Sequence, residues 1–130
     1  MKPFHSSSFS ILMVDDNPKN LQLLGTTLRN EGYHLEFATN GRMALNWVEK
    51  KVFDLLLLDI MMPEMSGFEV CDIIRKRNDY TDTPIIFLTA KTEKESVIEG
   101  FKLGAQDYIT KPFDTSELLA RVRTHLELRY

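Results

Sequence analysis

Residues 52–59 read Val-Phe-Asp-Leu-Leu-Leu-Leu-Asp, so that an apolar run ends abruptly at an aspartate. Residues 10–16 repeat the pattern, with Ser-Ile-Leu-Met-Val followed by two aspartates. Continuous rather than alternating hydrophobicity is typical of a strand that is buried on both faces, as strands are in a parallel sheet. We therefore expect these two runs to form neighbouring strands at the centre of a parallel sheet.

Amphipathic segments separate the apolar runs along the rest of the chain. Pro18 opens the first segment, in which Leu21, Leu24 and Leu28 recur at helical spacing, and a second follows the turn at residues 39–41. Further strands are predicted at residues 34–38, 84–88 and 107–109, and further helices at about residues 67–77, 91–103 and 116–128. Five strands alternating with five helices are typical of parallel βαβ units, whose right-handed crossovers place helices on both faces of one sheet.

The composition is that of one ordinary globular domain. The 130 residues include 16 Lys and Arg against 19 Asp and Glu, and this net charge of −3 gives no basic footprint for nucleic acid or an anionic membrane. No apolar run is long enough to span a bilayer. A lone Cys71 excludes an intramolecular disulfide and favours the reducing cytoplasm. Residues 1–8 lack the apolar core of a signal peptide and are predicted to be a flexible tail, ahead of one domain at residues 9–130.

Polar residues end four of the predicted strands. Asp15, Asp16 and Asp59 follow the two central strands, so we expect them to share a crevice at the carboxyl edge of the sheet, where open parallel sheets bind ligands. Three carboxylates within about 5 Å repel by roughly 3 kcal/mol per pair at an effective dielectric of 20, which a hard cation such as Mg²⁺ would offset. Thr89 and Lys111 bring a hydroxyl and an ammonium to the same edge. This set suits the transfer of a phosphoryl group onto a carboxylate.

In this order and spacing, the strand-end motifs resemble the receiver domain of two-component response regulators. The matching motifs are Asp15-Asp16, the stretch from Asp59 to Gly67, Thr89-Ala90 and Lys111-Pro112-Phe113. The resemblance covers about residues 9–128. It implies a flavodoxin-like α/β fold, in which a doubly wound five-stranded parallel sheet of order 2-1-3-4-5 lies between two layers of helices, five in all.

The resemblance also implies a role for each residue of the crevice. Asp59 would be the phosphoacceptor, taking its phosphoryl group from a histidine kinase or a histidine phosphotransfer protein. Asp16, Asp59 and the main-chain carbonyl of Met61 would ligate Mg²⁺ directly, with Mn²⁺ as an alternative ion. Asp15 would act through a metal-bound water. Met61 and Lys91 flank the entry to the site and would tune the lifetime of the phosphoryl group.

The same resemblance implies a switch. Thr89 and Lys111 would contact the new phosphoryl oxygens, Tyr108 would turn inward as Thr89 moves, and the Lys111–Pro112 peptide would be cis. The fourth helix, the fifth strand and the fifth helix would rearrange, to engage an output domain, a partner protein or a second copy in a homodimer. Such a domain phosphorylates and dephosphorylates itself and is not an enzyme with an external substrate, whereas a full-length parent would be a histidine kinase or carry an enzymatic output domain in some architectures.

Three alternatives share this architecture. An aspartyl-phosphate phosphohydrolase usually carries a second aspartate two residues after its nucleophile, where this chain has Met61. A flavodoxin-like cofactor carrier would place phosphate against the first loop, where Asp15 and Asp16 would repel it and no glycine-rich sequence occurs. A degenerate receiver that acts only as a binding module would keep the fold without the chemistry, and only a test of the chemistry separates it from an active receiver.

The final residues continue a helical pattern. Residues 125–130 contain no glycine or proline that would stop a helix. We expect either that this helix continues into a signalling segment leading to an output or kinase domain, or that the chain is a stand-alone receiver that acts by docking.

Overall fold

The computed structural model describes residues 3–90, 102 and 104–129. The strands are β1 (Ser10–Val14), β2 (His34–Ala38), β3 (Leu55–Asp59), β4 (Ile85–Ala90) and β5 (Asp107–Lys111). The helices of this part are α1 (Pro18–Asn30), α2 (Gly41–Lys50), α3 (Gly67–Arg75) and α4 (Thr115–Arg129). The strands form one parallel sheet of order β2-β1-β3-β4-β5, which confirms the predicted topology. The helix predicted at residues 91–103 lies, apart from Lys102, outside the described residues.

Helices cover both faces of the sheet, and the strand side chains divide between two cores. Successive side chains of a strand point to opposite faces, so each continuous apolar run supplies both cores. The core against α2 and α3 includes Leu12, Val14, Leu56, Leu58, Val48 and Ile74. The core against α1 and α4 includes Ile11, Met13, Leu55, Leu57, Leu24 and Val122. None of the helices among the described residues is long and apolar enough to cross a membrane.

Side-chain caps set where the first three helices begin. Asn17 accepts a hydrogen bond from the N–H of Lys19 at the start of α1, and Asn40 caps α2 in the same manner. Ser66 and Glu69 form a capping box at the start of α3. Each of these caps lies in a loop that leaves the carboxyl edge of the sheet, so the caps also orient the loops around the crevice.

Two predicted helix ends differ slightly from the observed ones. α3 ends at Arg75, two residues early, because the next two N–H groups donate to carbonyls three residues back and tighten the last turn. α4 runs on to Arg129, whose guanidinium donates to the carbonyl of Asp54 at 3.3 Å and to the hydroxyl of Thr83 at 3.2 Å. The last helix is therefore anchored at the amino edge of the sheet, opposite the crevice.

Residues 4–9 contact the domain. The ring of Phe4 stacks on Phe9 with 5.3 Å between centroids and meets Tyr33 edge-on at 6.4 Å. The guanidinium of Arg123 on α4 lies 4.6 Å from the centroid of Phe4. These contacts join the first residues to α4, whereas the flexibility expected of residues 1–8 stays a prediction.

The polar side chains of the buried Tyr80 and the half-buried Arg75 join the loops at the amino edge of the sheet. The hydroxyl of Tyr80 accepts the N–H of Phe53 at 3.0 Å and donates to the carbonyl of Lys51 at 2.8 Å. The guanidinium of Arg75 donates to the carbonyls of Tyr80 and Gly104 at 2.7–3.1 Å. The bonds of Arg75 tie the end of α3 to the residues that lead into β5.

Candidate functional site

Three carboxylates meet at the carboxyl edge of the sheet, where the strand order reverses. β1 and β3 are parallel neighbours, so Asp15 and Asp16, which follow β1, lie beside Asp59 at the end of β3. One carboxylate oxygen from each of the three lies within 4.8 Å of the others. Asp15 and Asp59 are buried, whereas Asp16 is exposed. The acidic cluster predicted from the strand ends is therefore present.

Asp15 is held by the first turn of α1 and by a lysine from the other side of the crevice. Its Oδ1 accepts the N–H of Asn17 at 2.9 Å, and its Oδ2 accepts the side-chain amide of Asn20 at 3.2 Å. The same Oδ2 lies 3.2 Å from Nζ of Lys111. No role was predicted for Asn20. Its position in the first turn of a helix that starts at the site could have indicated a contact with Asp15.

Lys111 connects two of the carboxylates. Its Nζ donates to Oδ1 of Asp59 at 3.0 Å while remaining in contact with Asp15. Burial alone would lower the pKa of Lys111, but the hydrogen bond to Asp59 and the charges of both carboxylates outweigh it and raise the pKa. The Lys111–Pro112 peptide bond is cis. The lysine is therefore a charged group directed into the crevice.

Asp59 is an unusually basic carboxylate. Burial raises its pKa to about 7, the charge of Asp15 adds to the effect, and Lys111 opposes it. When all groups are ionised, three carboxylates and one ammonium leave a local formal charge of −2. A divalent cation would neutralise that charge and favour the ionised form of Asp59, so the donor set fits a hard metal ion.

Thr89 and Tyr108 lie on the two strands beyond β3. Thr89 is buried near the end of β4, and its hydroxyl donates to the carbonyl of Ala90 at 3.2 Å. Tyr108 is half-buried on β5, and its ring centroid lies 5.9 Å from the guanidinium carbon of Arg121 on α4. Thr89 and Tyr108 thus occupy neighbouring strands, and no role was predicted for Arg121.

Two further residues were predicted to tune the lifetime of the phosphoryl group. Met61, two residues beyond Asp59, is 65% exposed. Lys91 lies outside the described residues.

Gly67 packs closely against the end of the strand that carries Asp59. Its N–H donates to the carbonyl of Ile60 at 2.9 Å. A methyl group on Gly67 would overlap the carbonyl oxygen of Asp59 and lie 2.9 Å from Cα of Ile60. Only a glycine allows the start of α3 to lie this close to the end of β3. No role in the site was predicted for Gly67. A glycine directly after a serine cap could have indicated that the start of the helix lies close to another part of the main chain.

Comparisons of the sequence with known proteins agree with this geometry. The family model of the response regulator receiver domain matches residues 11–123. The transcriptional regulatory protein YvrH of Bacillus subtilis is 44% identical over 122 residues, which are 93% of this chain and 50% of that protein. A probable cyclic di-GMP phosphodiesterase of Vibrio cholerae is also 44% identical over 122 residues, 93% of this chain but 27% of that protein. The chain thus spans half or less of the length of these relatives.

Solved structures show the same fold. A putative response regulator from Chloroflexus aurantiacus superposes with a TM-score of 0.88 at 34% identity, covering 92% of this chain and 98% of that one. The receiver domain of sensor histidine kinase PA1611 from Pseudomonas aeruginosa, with a magnesium ion coordinated in its active site cleft, superposes with a TM-score of 0.85 at 29% identity, covering 92% and 98%. With the family model matched over most of its length, this chain belongs to the response regulator receiver domain family.

Proposed function

We propose that Asp59 accepts a phosphoryl group from a phosphohistidine on a histidine kinase or a histidine phosphotransfer protein. The observation that carries the proposal is the buried carboxylate of Asp59, set between two further carboxylates and the ammonium of Lys111. A receiver used only for binding has no need of three repelling carboxylates in one crevice. Receiver domains work with kinases and output domains. If this chain is part of a longer protein that is a kinase or another enzyme, that activity belongs to the other domains.

Mg²⁺ is the proposed metal, with Mn²⁺ as an alternative, because the donors are carboxylate oxygens. Asp16, Asp59 and the main-chain carbonyl of Met61 would hold the ion directly. Asp15 would act through a water, in keeping with its own contacts to Asn20 and Lys111. When bound, the ion supplies positive charge to the phosphoryl oxygens during transfer. We place this chemistry in the cytoplasm, where the donor kinases present their phosphohistidines.

In the transfer step, one carboxylate oxygen of Asp59 attacks the phosphorus. The new P–O bond forms as the P–N bond to the donor imidazole breaks, and the imidazole leaves with the electron pair. Lys111, already 3.0 Å from Oδ1 of Asp59, follows the new charge and pairs with a phosphoryl oxygen. Hydrolysis of the acyl phosphate by water returns Asp59, and Met61, which is exposed two residues beyond Asp59, would tune its rate together with Lys91.

The switch follows from the charge that the phosphoryl group adds. The hydroxyl of Thr89 exchanges its bond to the carbonyl of Ala90 for one to a phosphoryl oxygen, and the space that Thr89 leaves accepts the ring of Tyr108. The surface that changes comprises residues 91–103, β5 and α4, which we call the output surface. An output domain, a partner protein or a second copy of the chain would bind there.

Phosphorylation by a small donor tests the proposal without a partner kinase. The protein is incubated with Mg²⁺ and acetyl phosphate, and intact mass is followed with time. We expect one phosphoryl mass on the wild type, none on Asp59→Asn, and unchanged uptake by Asp72→Asn, which alters an exposed aspartate on α3. Chelation of the metal should abolish uptake. A wild type that gains no mass, or a gain that survives Asp59→Asn, contradicts the proposal.

A further inference from the structure

Arg121 on α4 is held by two carboxylates. Its Nη1 lies 2.6 Å from Oδ1 of Asp107 on β5, and its Nε donates to Oε1 of Glu117 at 3.1 Å. Two charge-assisted bonds from different elements restrict the rotamers that a long side chain otherwise samples. The guanidinium is therefore a fixed group rather than a mobile surface charge.

Asp107, the main anchor of Arg121, is itself fixed. Its Oδ2 lies 3.0 Å from Nε2 of His125, one turn further along α4. Its Oδ1 also accepts the N–H of Tyr108 at 2.8 Å. The carboxylate thus joins the first two residues of β5 to two successive turns of α4, and it fixes the position of Arg121 relative to Tyr108.

The fixed guanidinium lies against the ring of Tyr108. The distance from the guanidinium carbon to the ring centroid is 5.9 Å, within the range of a cation–π contact. α4 otherwise packs on the face of the sheet that carries Ile109, whereas the ring of Tyr108 packs on the opposite core. Arg121 reaches this ring because β5 is an edge strand.

We propose that Arg121 is a positioning residue that holds the ring of Tyr108 in the place described here and thereby opposes phosphorylation of Asp59. The inference rests on the proposed function, in which the ring of Tyr108 moves toward Thr89. A ring in the space left by Thr89 has lost its contact with Arg121, so the contact and the phosphoryl group favour different positions of one side chain. Whatever stabilises one position of the ring therefore lowers the population of the other relative to it.

The contact between Arg121 and Tyr108 is weak enough to shift the position of the ring without locking it. A cation–π contact at a partly exposed site changes an equilibrium by roughly two- to fivefold. We take the moved position of the ring to be the one that accepts phosphoryl. Loss of the contact should then leave the fold intact, raise the population of that position, and raise the rate of uptake by up to the same factor. Asp107 and Glu117 belong to the output surface. A molecule that binds either carboxylate in place of Arg121 would therefore release the ring of Tyr108.

Arg121→Met tests the inference, with Arg123→Met as its matched control. Both arginines lie on α4 in ion pairs with a glutamate four residues away, but Arg123 pairs with Glu127 and contacts Phe4 rather than Tyr108. We expect Arg121→Met to take up phosphoryl from acetyl phosphate about two- to fivefold faster than the wild type. Arg123→Met should match the wild type. The ring resonances of Tyr108, read by NMR without a phosphodonor, should shift in the first variant alone.

A Tyr108→Leu background separates the contact from other effects of the lost charge. If Arg121 acts through the ring, Arg121→Met adds nothing to the rate of Tyr108→Leu. An equal acceleration in both backgrounds, an unshifted ring resonance, or an unchanged rate would overturn the inference. If no variant is phosphorylated, including the wild type, the proposed function fails, and the resonances of Tyr108 still decide whether Arg121 positions the ring.

Discussion

Gly67→Ala should destabilise the domain and disable the site together. The added methyl group would overlap the carbonyl oxygen of Asp59 and lie 2.9 Å from Cα of Ile60, against the 3.5–4.0 Å of an ordinary carbon contact. Both obstacles are main-chain atoms, so α3 or the end of β3 must move by roughly 1 Å. Overpacking of this kind costs about 3 kcal/mol, and a 1 Å misplacement of a reacting group slows chemistry by about 100-fold.

Two assays follow the two effects. Urea denaturation should show a midpoint lower by about 2 M for an m-value of about 1.5 kcal/mol/M. Intact mass after addition of acetyl phosphate and Mg²⁺ should show slow uptake even where the variant is folded. Because the strain falls on the strand of Asp59, the loss of rate should exceed what the unfolded fraction explains.

Gly25→Ala is the matched control for the substitution. Gly25 lies within α1, and a methyl group there would lie 3.7 Å from Cε of Met13, an ordinary contact. This variant should be more stable by about 0.5–1 kcal/mol, because alanine is the better helix former. If Gly67→Ala unfolds within about 0.3 M of the wild-type midpoint, or at a higher midpoint as Gly25→Ala should, the close approach of Gly67 to Asp59 is refuted.

Three further measurements test other parts of the structure. Tyr80→Phe should lower the free energy of unfolding by about 1–3 kcal/mol, because the N–H of Phe53 loses its buried acceptor; equal urea midpoints would contradict this. Burial alone would raise the pKa of Asp107, but the bonds from His125, the main chain and Arg121 outweigh it and lower the pKa. A lowered pKa stabilises the fold above the unfolded value near about 4, and that effect is lost as the pH falls through the folded value. The stability difference between wild type and Asp107→Asn should therefore shrink as the pH falls below about 4. Mg²⁺ at 100 times its Kd should raise the free energy of unfolding by about 2.7 kcal/mol, and most of that gain should vanish in Asp16→Asn; an equal gain in both would argue against binding at the crevice.

The sheet and the acidic cluster could be predicted because both depend on local patterns. The apolar runs at residues 11–14 and 55–58 are buried on both faces, and a run of that kind is typical of a central parallel strand. Once the two strands are taken as parallel neighbours, the residues after them must meet at one edge, so Asp15 and Asp59 come together.

The contacts between side chains far apart in the chain could not be predicted in this way. Lys111 was expected to meet phosphoryl oxygens, but its position between Asp15 and Asp59 depends on the crevice width and on side-chain rotamers. The contact of Arg121 with Tyr108 requires a side chain from one face to pass the edge of the sheet. No spacing in the sequence encodes such a contact, because the distance depends on how α4 packs.

The sheet order gives β3 and β5, the strands of the proposed acceptor and of the proposed switch, different numbers of neighbours. β3, which carries Asp59, is hydrogen-bonded on both sides, so its displacement would disturb two ladders at once. β5 has a single neighbour, and a displacement there disturbs one. In the proposed function, the chemistry thus takes place on a strand paired on both sides and the readout on an edge strand. Substitutions on β5 and α4 that suit a new partner would therefore disturb one ladder of the sheet and leave the two ladders around Asp59 in place.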